Sequence, residues 1–384
     1  MRSTLDPAAL WDNYRPTTLL ELSDLARQLN VGRVFAKLEN ERPLGNFKAV
    51  GGMTAGLKAL AGHSAAAAPA TQPAAAPASH PVAAPATQPA AASASHPVAA
   101  PASQPAAVSA SHTFATLASS GPLPTLICAS EGNHGLSVAA AAARTGAKAT
   151  IYLPSNANPI RADRIKAIGG EIHWIDGTYD DAVEAAAAAA ARGEGLLIPD
   201  TSPDPNDPVV KDVMTGYGLI TQELRDQLPV RPTHLFVQAG VGGLASAMVD
   251  GLHDFMSAPH RILIVEPASA ACVSQALAAG HPVLIPGSLH TSAEMLACGL
   301  ASAPAIEILK QHNIRSLLVN EDHLQAAPVT LQTAGGPPTT PSGAAGLAGL
   351  LYACTDPAHR ANHHLTPTST VLLIITEAAA SSTQ

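Results

Sequence analysis

Short apolar segments alternate with glycine-containing turns and helical stretches along most of this 384-residue chain. Leu19, Leu22, Leu25 and Leu29 recur at helical spacing and predict a helix ahead of the first strand. The segments predicted as strands are 33–39, 125–129, 149–153, 171–175, 196–198, 233–238, 262–266, 317–319 and 370–376. Strands that alternate with helices in this way are typical of mostly parallel sheets covered on both faces. We therefore predict an α/β fold whose ligands bind at the carboxyl ends of the strands.

Residues 62–112 differ from the rest of the chain because they form an alanine- and proline-rich tandem repeat. The motif that begins at Pro77 recurs 16 residues later, so that His80, His96 and His112 are evenly spaced. Frequent prolines forbid a continuous helix, and the lack of large apolar side chains leaves little to bury. We predict a disordered insert with polyproline II character between two ordered elements. Metal binding by the repeated histidines is a less favoured alternative, and we predict no metal site.

Charge and cysteine content argue against several classes of partner and site. The net charge is −8 and the chain has no basic cluster, which argues against a surface for nucleic acid or anionic membrane. Cys128, Cys272, Cys298 and Cys354 lie far apart without paired spacing, so neither a zinc site nor a disulfide framework is predicted. No uninterrupted apolar run is long enough to span a bilayer. We expect a cytoplasmic protein whose partner is a small molecule.

Lys48 is the first candidate for a reactive residue. It lies between Phe47 and the small apolar pair Ala49 and Val50, just before a predicted helix. Apolar neighbours would desolvate an ammonium group and lower its pKa, which favours a neutral, nucleophilic amine. The alternative is a half-buried lysine that extends its ammonium group to solvent.

Two glycine turns follow predicted strands and open predicted helices. Successive amides in the turn at 240–243 could bind a phosphate, although a tight turn without a ligand would give the same pattern. The turn at 130–135 places Asn133 and His134 at a helix N-terminus, where a carboxylate would be stabilised. The alternative there is that Asn133 caps the helix and His134 packs beneath it.

The order of these features along the chain resembles that of a known family. Lys48 comes first, the two glycine turns follow, and Thr376 ends the last apolar strand. This arrangement resembles the fold type II pyridoxal-phosphate enzymes, which include the tryptophan synthase beta subunit and the threonine and serine dehydratases. Segments 46–52, 131–135, 215–218, 238–244 and 265–267 resemble the diaminopropionate ammonia-lyase branch of that family. The resemblance covers nearly all of the chain outside residues 62–112.

The resemblance implies two open, mostly parallel twisted sheets flanked by helices. It implies a large domain formed by residues 1–44 and 193–384, the latter part holding the phosphate and pyridine sites of the cofactor. It implies a small domain formed by residues 45–61, with the cofactor lysine, and residues 113–192, separated by the insert at 62–112. A homodimer is expected by analogy with the family.

The resemblance also implies a role for particular residues around pyridoxal phosphate. Lys48 would hold the cofactor as a Schiff base, with Phe47 beside it, and Asn133 would bond the phenolic oxygen of the ring. Thr376 would lie at the pyridine nitrogen, and the phosphate would bind at 240–244. The phosphate-binding set is Gly240, Val241, Gly242, Gly243 and Leu244. The catalytic set is Lys48, Glu131 and Asp200, and the substrate-binding set is Gly132, His134 and Tyr217.

Several positions depart from the pattern of the ammonia-lyases. Glu131 stands where aspartate is typical, Asn46 replaces a serine, and the segment 337–341 reads Pro-Pro-Thr-Thr-Pro where relatives often carry glutamate. The segment 201–203 also differs from the bulkier family loop near the substrate. These departures bear on the substrate more than on the cofactor.

The function implied is a lyase that eliminates ammonia from 2,3-diaminopropionate to give pyruvate and ammonia, a step in amino-acid catabolism. The first alternative is a dehydratase-type ammonia-lyase that acts on serine, threonine or hydroxyaspartate. The second is a protein that binds pyridoxal phosphate without turnover, and a beta-replacement synthase is a further possibility.

Overall fold

The structure is a computed structural model that describes residues 10–11, 14–67, 122–130, 132–155, 157–312 and 314–379, with only the backbone described at 65–67. The predicted insert lies outside the described residues except for 62–67, which continue the helix that begins at Lys48. All four cysteines are free thiols, of which Cys128 and Cys272 are buried. Among the described residues, none of the helices is long and apolar enough to cross a membrane.

Helices and strands alternate along the described chain as the sequence predicted. The strands are β1 (Leu19–Glu21), β2 (Arg33–Leu38), β3 (Leu126–Ala129), β4 (Ala149–Pro154), β5 (Glu171–Ile175), β6 (Leu196–Leu197), β7 (His234–Gln238), β8 (Arg261–Pro267), β9 (Arg315–Val319) and β10 (Thr370–Ile375). The helices are α1 (Ser23–Gln28), α2 (Lys48–Ala67), α3 (Asn133–Thr145), α4 (Pro159–Ala167), α5 (Tyr179–Ala191), α6 (Pro208–Gln227), α7 (Gly243–Leu252), α8 (Cys272–Ala279), α9 (Ala303–Gln311), α10 (Glu321–Thr333), α11 (Ala345–Ala353) and α12 (Pro357–Asn362).

The strands form two sheets. A six-stranded sheet has the order β1-β2-β10-β7-β8-β9, and a four-stranded sheet has the order β5-β4-β3-β6. Every pair of neighbouring strands is parallel except β1 with β2. β10 and β7 are fully buried along their length, which is typical of central strands covered by helices on both faces. The predicted fold class is confirmed.

The sequence prediction differs from the structure at β1 and at two helices. Leu19 belongs to β1, which pairs with β2 through Leu19 opposite Lys37, so the predicted helix is confined to α1. A three-residue strand is too short to show a period of two, whereas its leucines continue the helical spacing. The sequence interpretation omitted α10 and α12. α10 contains Pro328 in its interior, and the side chain of Asn320 caps its first turn.

A buried ionic network holds the segment that leads from β2 to Lys48. Lys37 Nζ lies 2.5 Å from a carboxylate oxygen of Glu223, and Arg42 contacts both Glu223 and Glu39 at 2.8 Å. All four side chains are nearly inaccessible to solvent, so each charge depends on its partners. Because Glu223 belongs to α6, the network joins the approach to Lys48 to a helix of the large-sheet core.

His234 provides a pH-dependent contribution to stability. It is fully buried at the start of β7; its Nε2 donates to the carbonyl oxygen of His363, and Nδ1 accepts from the Thr233 hydroxyl. Burial disfavours the imidazolium and lowers the pKa of His234 to about 4. A histidine with a depressed folded pKa contributes stability above its unfolded pKa of 6.5, and that stability is lost as pH falls toward 4.

When the pH is lowered from 7.5 to 4.5, we predict that the free energy of unfolding falls by about 2 to 3 kcal/mol more in the wild type than in His234→Gln. Urea unfolding at the two pH values measures this difference. His281→Gln removes an exposed histidine and serves as the control. An equal loss in wild type and His234→Gln would show that His234 does not titrate as proposed.

Candidate active site

Lys48 lies at the start of α2, at the place where the two sheets meet. The amide of Phe47 donates to the carbonyl oxygen of Thr376 at 2.9 Å, which fixes the lysine segment beside the end of β10. Lys48 Nζ lies 2.6 Å from Oδ2 of Asp200, in the loop that follows β6. The two side chains are 27% and 14% exposed, so the ion pair is only partly accessible to solvent. The structure therefore brings together two of the three predicted catalytic residues.

The ion pair reverses the pKa that local sequence predicts for Lys48. Burial lowers the pKa of Lys48, but the Asp200 carboxylate outweighs this effect and raises it above its usual range. Burial likewise raises the pKa of Asp200, and the Lys48 ammonium outweighs it and holds that pKa well below its usual range. The expectation of a neutral amine is wrong for this pair because it counted only the apolar neighbours of Lys48.

The second glycine turn connects β7 with α7 and leaves the N-terminus of that helix open. Gly242 has a φ of +97°, a conformation that favours glycine. A Cβ at Gly240 would lie 3.1 Å from the Sγ of Cys298 and 3.2 Å from the carbonyl oxygen of Met295. Among the described residues, no side chain caps the first turn of α7. Amides at an uncapped helix N-terminus, reached through glycines, are the donors that a phosphate group needs.

The other members of the predicted phosphate-binding segment support this turn. The carbonyl oxygen of Val241 accepts the amide of Ser302 at 2.9 Å, which joins the turn to the start of α9. Leu244 is buried in the core, and Gly243 is the first residue of α7. The turn is therefore fixed by a hydrogen bond at Val241 and by the burial of Leu244.

Thr376 follows β10 next to the glycine turn, because β10 and β7 are neighbouring strands. Its hydroxyl oxygen accepts a hydrogen bond from Nε2 of Gln238 at 3.1 Å. The same amide nitrogen lies 3.0 Å from the carbonyl oxygen of Gly343, so Gln238 ties Thr376 to the loop before α11. The hydroxyl hydrogen of Thr376 remains available for another acceptor, such as an aromatic nitrogen.

Asn133 is the first residue of α3, and it does not cap that helix. Its Nδ2 instead donates to Oε2 of Glu377 at 2.5 Å, across the space between the two sheets. The amide of Gly132 donates to the hydroxyl oxygen of Ser130 at 3.3 Å, which tightens the turn. Glu131, predicted as a catalytic residue, lies outside the described residues.

His134 and Tyr217 are both buried beside Lys48. Nε2 of His134 donates to the carbonyl oxygen of Ile198 at 2.8 Å, and burial lowers the pKa of the ring. This contact agrees with a packing role for His134, but the helix cap that the same alternative assigned to Asn133 is not formed. The ring of Tyr217 lies 5.1 Å from that of Phe47, and burial raises the pKa of its hydroxyl. Their predicted roles in substrate binding stay predictions.

The residues present fit pyridoxal phosphate. The glycine turn offers backbone donors for a phosphate, and Thr376 offers a hydroxyl hydrogen. Lys48 contacts Asp200, and the residue before it bonds to the backbone of Thr376. Glu377 and the anchoring role of Gln238 were missed by the sequence interpretation. The position of Gln238 at the last residue of a strand before a glycine turn was the only local signal for it.

Comparison with known proteins identifies the family. A family model described as "Pyridoxal-phosphate dependent enzyme" matches residues 106–377. The chain belongs to this family. The predicted family and its cofactor, pyridoxal phosphate, are thereby confirmed.

Relatives within the family include diaminopropionate ammonia-lyases. The Salmonella typhimurium protein of that name is 34% identical over 269 residues, which cover 65% of this chain and 66% of the relative. The Escherichia coli protein is 33% identical over 191 residues, 48% of either chain. The matches to these curated relatives thus span between about half and two thirds of their length. A biosynthetic L-threonine dehydratase from Haemophilus influenzae is 31% identical over 225 residues, 59% of this chain and 42% of the relative.

Solved structures show the same relationship over more of the chain. The holo diaminopropionate ammonia-lyase of Escherichia coli has a TM-score of 0.76 and 26% identity, and the match covers 97% of this chain and 87% of the other. The same enzyme in complex with an aminoacrylate–pyridoxal-phosphate reaction intermediate has a TM-score of 0.76 and 25% identity, and the match covers 98% and 88%.

Proposed function

We propose that the protein is a pyridoxal-phosphate-dependent ammonia-lyase that converts 2,3-diaminopropionate and water into pyruvate and two ammonia. The observation that carries the proposal is the partly buried Lys48–Asp200 pair, in which an amine that can attach the cofactor contacts a carboxylate that can act as a base. Similarity to ammonia-lyases of that name supports the choice of substrate.

The cofactor supplies, when bound, an aromatic ring that withdraws electrons from the alpha carbon of an amino acid. Asp200 is held ionised by Lys48, so it can accept the proton from the alpha carbon. Lys48, held as an ammonium beside Asp200, can donate a proton to the departing amino group and then recover the proton that Asp200 took up. Asp200 and Lys48 thus form a proton path with an acceptor at one end and a donor at the other.

Thr376 influences which reaction follows loss of the alpha proton. Its hydroxyl is neutral and is held by Gln238, so it does not enforce a positive charge on a pyridine nitrogen. A ring that is not forced to be protonated is a weaker electron acceptor, which favours direct loss of a beta substituent over transamination. The arrangement supports elimination as the reaction class.

Product stoichiometry tests the proposal. The purified holoenzyme, incubated with 2,3-diaminopropionate, is expected to release two ammonia for each pyruvate, whereas serine would release one. Pyruvate is measured with a coupled dehydrogenase, and ammonia is measured in the same samples. If the holoenzyme forms no 2-oxo acid from diaminopropionate, serine, threonine or hydroxyaspartate, the lyase proposal is wrong, and a binding protein without turnover is favoured instead.

The dehydratase alternative has its own support in the relatives named threonine dehydratase. It would be favoured if kcat/KM for serine, threonine or hydroxyaspartate exceeded that for diaminopropionate.

The proposal also includes a cytoplasmic homodimer that takes part in amino-acid catabolism. This part of the proposal rests on the resemblance to the family. Light scattering on the purified protein measures the oligomeric state.

A further inference from the structure

Glu377 is a buried carboxylate that directly follows the proposed pyridine contact, Thr376. It is 8% exposed and accepts hydrogen bonds from two side chains. Oε2 accepts from Nδ2 of Asn133 at 2.5 Å, and Oε1 accepts from the hydroxyl of Thr340 at 2.5 Å. Among the described residues, no cation lies within salt-bridge distance of this carboxylate. Its charge is therefore stabilised by hydrogen-bond donors alone.

The backbone of Glu377 is fixed by two segments, one that contains Thr339 and one that contains Gly45 and Asn46. Its carbonyl oxygen accepts from the hydroxyl of Thr339 at 2.5 Å, and the residue forms an antiparallel bridge with Asn46. The amide of Ala378 donates to the carbonyl oxygen of Gly45 at 2.9 Å. These contacts fix the position of Glu377 relative to Gly45 and Asn46, the segment that leads to Lys48.

The bond to Asn133 crosses between the two sheets. Glu377 follows β10 of the six-stranded sheet, whereas Asn133 follows β3 of the four-stranded sheet. An asparagine amide nitrogen carries two hydrogens, and a carboxylate can only accept. The contact therefore fixes which end of the Asn133 amide faces Glu377 and leaves the second hydrogen of Nδ2 for another acceptor.

We propose that Thr340 and Glu377 form a positioning chain that orients Asn133 toward the ring oxygen of the cofactor. The inference rests on the cofactor site proposed above and deepens it. It also gives a function to the segment 337–341, which departs from the family pattern, because its two threonines are the residues that hold Glu377. Glu377 acts through Asn133 and is a positioning residue rather than a catalytic one.

Glu377→Ala tests the chain through the binding and absorption spectrum of the cofactor. Loss of a hydrogen bond to a charged group is expected to weaken pyridoxal-phosphate binding roughly tenfold. The absorption maximum of the bound cofactor is expected to shift as well, because the donor to its ring oxygen is no longer oriented. Both readouts are independent of which amino acid is the substrate, so failure of the ammonia-lyase proposal would not affect them.

A double-mutant cycle separates positioning from a general effect on folding. Asn133→Ala is expected to produce the same spectral shift, and Glu377→Ala added to Asn133→Ala should weaken binding no further. Losses that simply add would show that Glu377 does not act through Asn133. A wild-type spectrum and affinity in Glu377→Ala would also overturn the proposal.

Thr340 supplies variants that keep the carboxylate. Thr340→Val removes the hydroxyl at nearly constant volume and is expected to weaken cofactor binding roughly threefold, while Thr340→Ser restores it. Thr333→Val is the matched control, because that hydroxyl bonds only within its own exposed helix turn. Equal binding by Thr340→Val, Thr340→Ser and wild type would remove Thr340 from the chain.

Discussion

Replacing Lys48 with alanine is expected to abolish covalent attachment of pyridoxal phosphate and to lower kcat by at least about 10³-fold. Among the ion pairs of the described residues, Lys48 is the lysine that contacts Asp200, and the other paired lysines contact other carboxylates. The loss is measured as disappearance of the protein-bound imine chromophore and as the rate of 2-oxo acid formation.

A matched control exists on the same helix. Lys58 also belongs to α2 and also pairs with a carboxylate, Asp212, at 2.9 Å. Lys58→Ala is expected to retain the chromophore and nearly all of the activity, because it removes a partly exposed ion pair away from the glycine turn. If Lys48→Ala kept its chromophore after dialysis, or if Lys58→Ala lost it, the assignment of Lys48 would be wrong.

The predictable parts of this protein depend on short-range sequence pattern. The turn at 240–243 is evident from sequence because a tight strand-to-helix connection needs glycine where φ is positive, as at Gly242. Buried parallel strands such as β10 are almost entirely apolar, as at Val371 to Ile375, and are therefore easy to find. By contrast, β1 is too short for its period to be distinguished from that of the helix that follows it.

The ionisation of the site depends on contacts that sequence does not display. Lys48 and Asp200 are 152 residues apart, and their 2.6 Å contact reverses the pKa that the neighbours of Lys48 predict. Glu377 was missed for the same reason, since its partners Asn133 and Thr340 come from different parts of the chain. The resemblance to a known family identified Asp200 as a candidate catalytic residue. Only the fold shows that Asp200 contacts Lys48.

Asp200→Asn is expected to lower kcat by roughly 10²- to 10⁴-fold while the cofactor stays attached to Lys48. Asparagine has nearly the same shape as aspartate and fills the same space, but its amide cannot accept the alpha proton. The substitution also removes the carboxylate that raises the pKa of Lys48. Because burial is then opposed by less negative charge, the pKa of Lys48 falls, and the amine is neutral at lower pH than in the wild type.

Asp200→Asn is therefore expected to ease attachment of the cofactor and to impair turnover. Covalent attachment of added pyridoxal phosphate to the apoenzyme should begin at lower pH than in the wild type, whereas turnover at saturating substrate should fall. Asp212→Asn removes the partner of Lys58 and should change neither quantity. A variant that kept wild-type turnover would show that another group takes the alpha proton. An unchanged pH dependence of attachment would show that the Asp200 charge does not control the ionisation of Lys48.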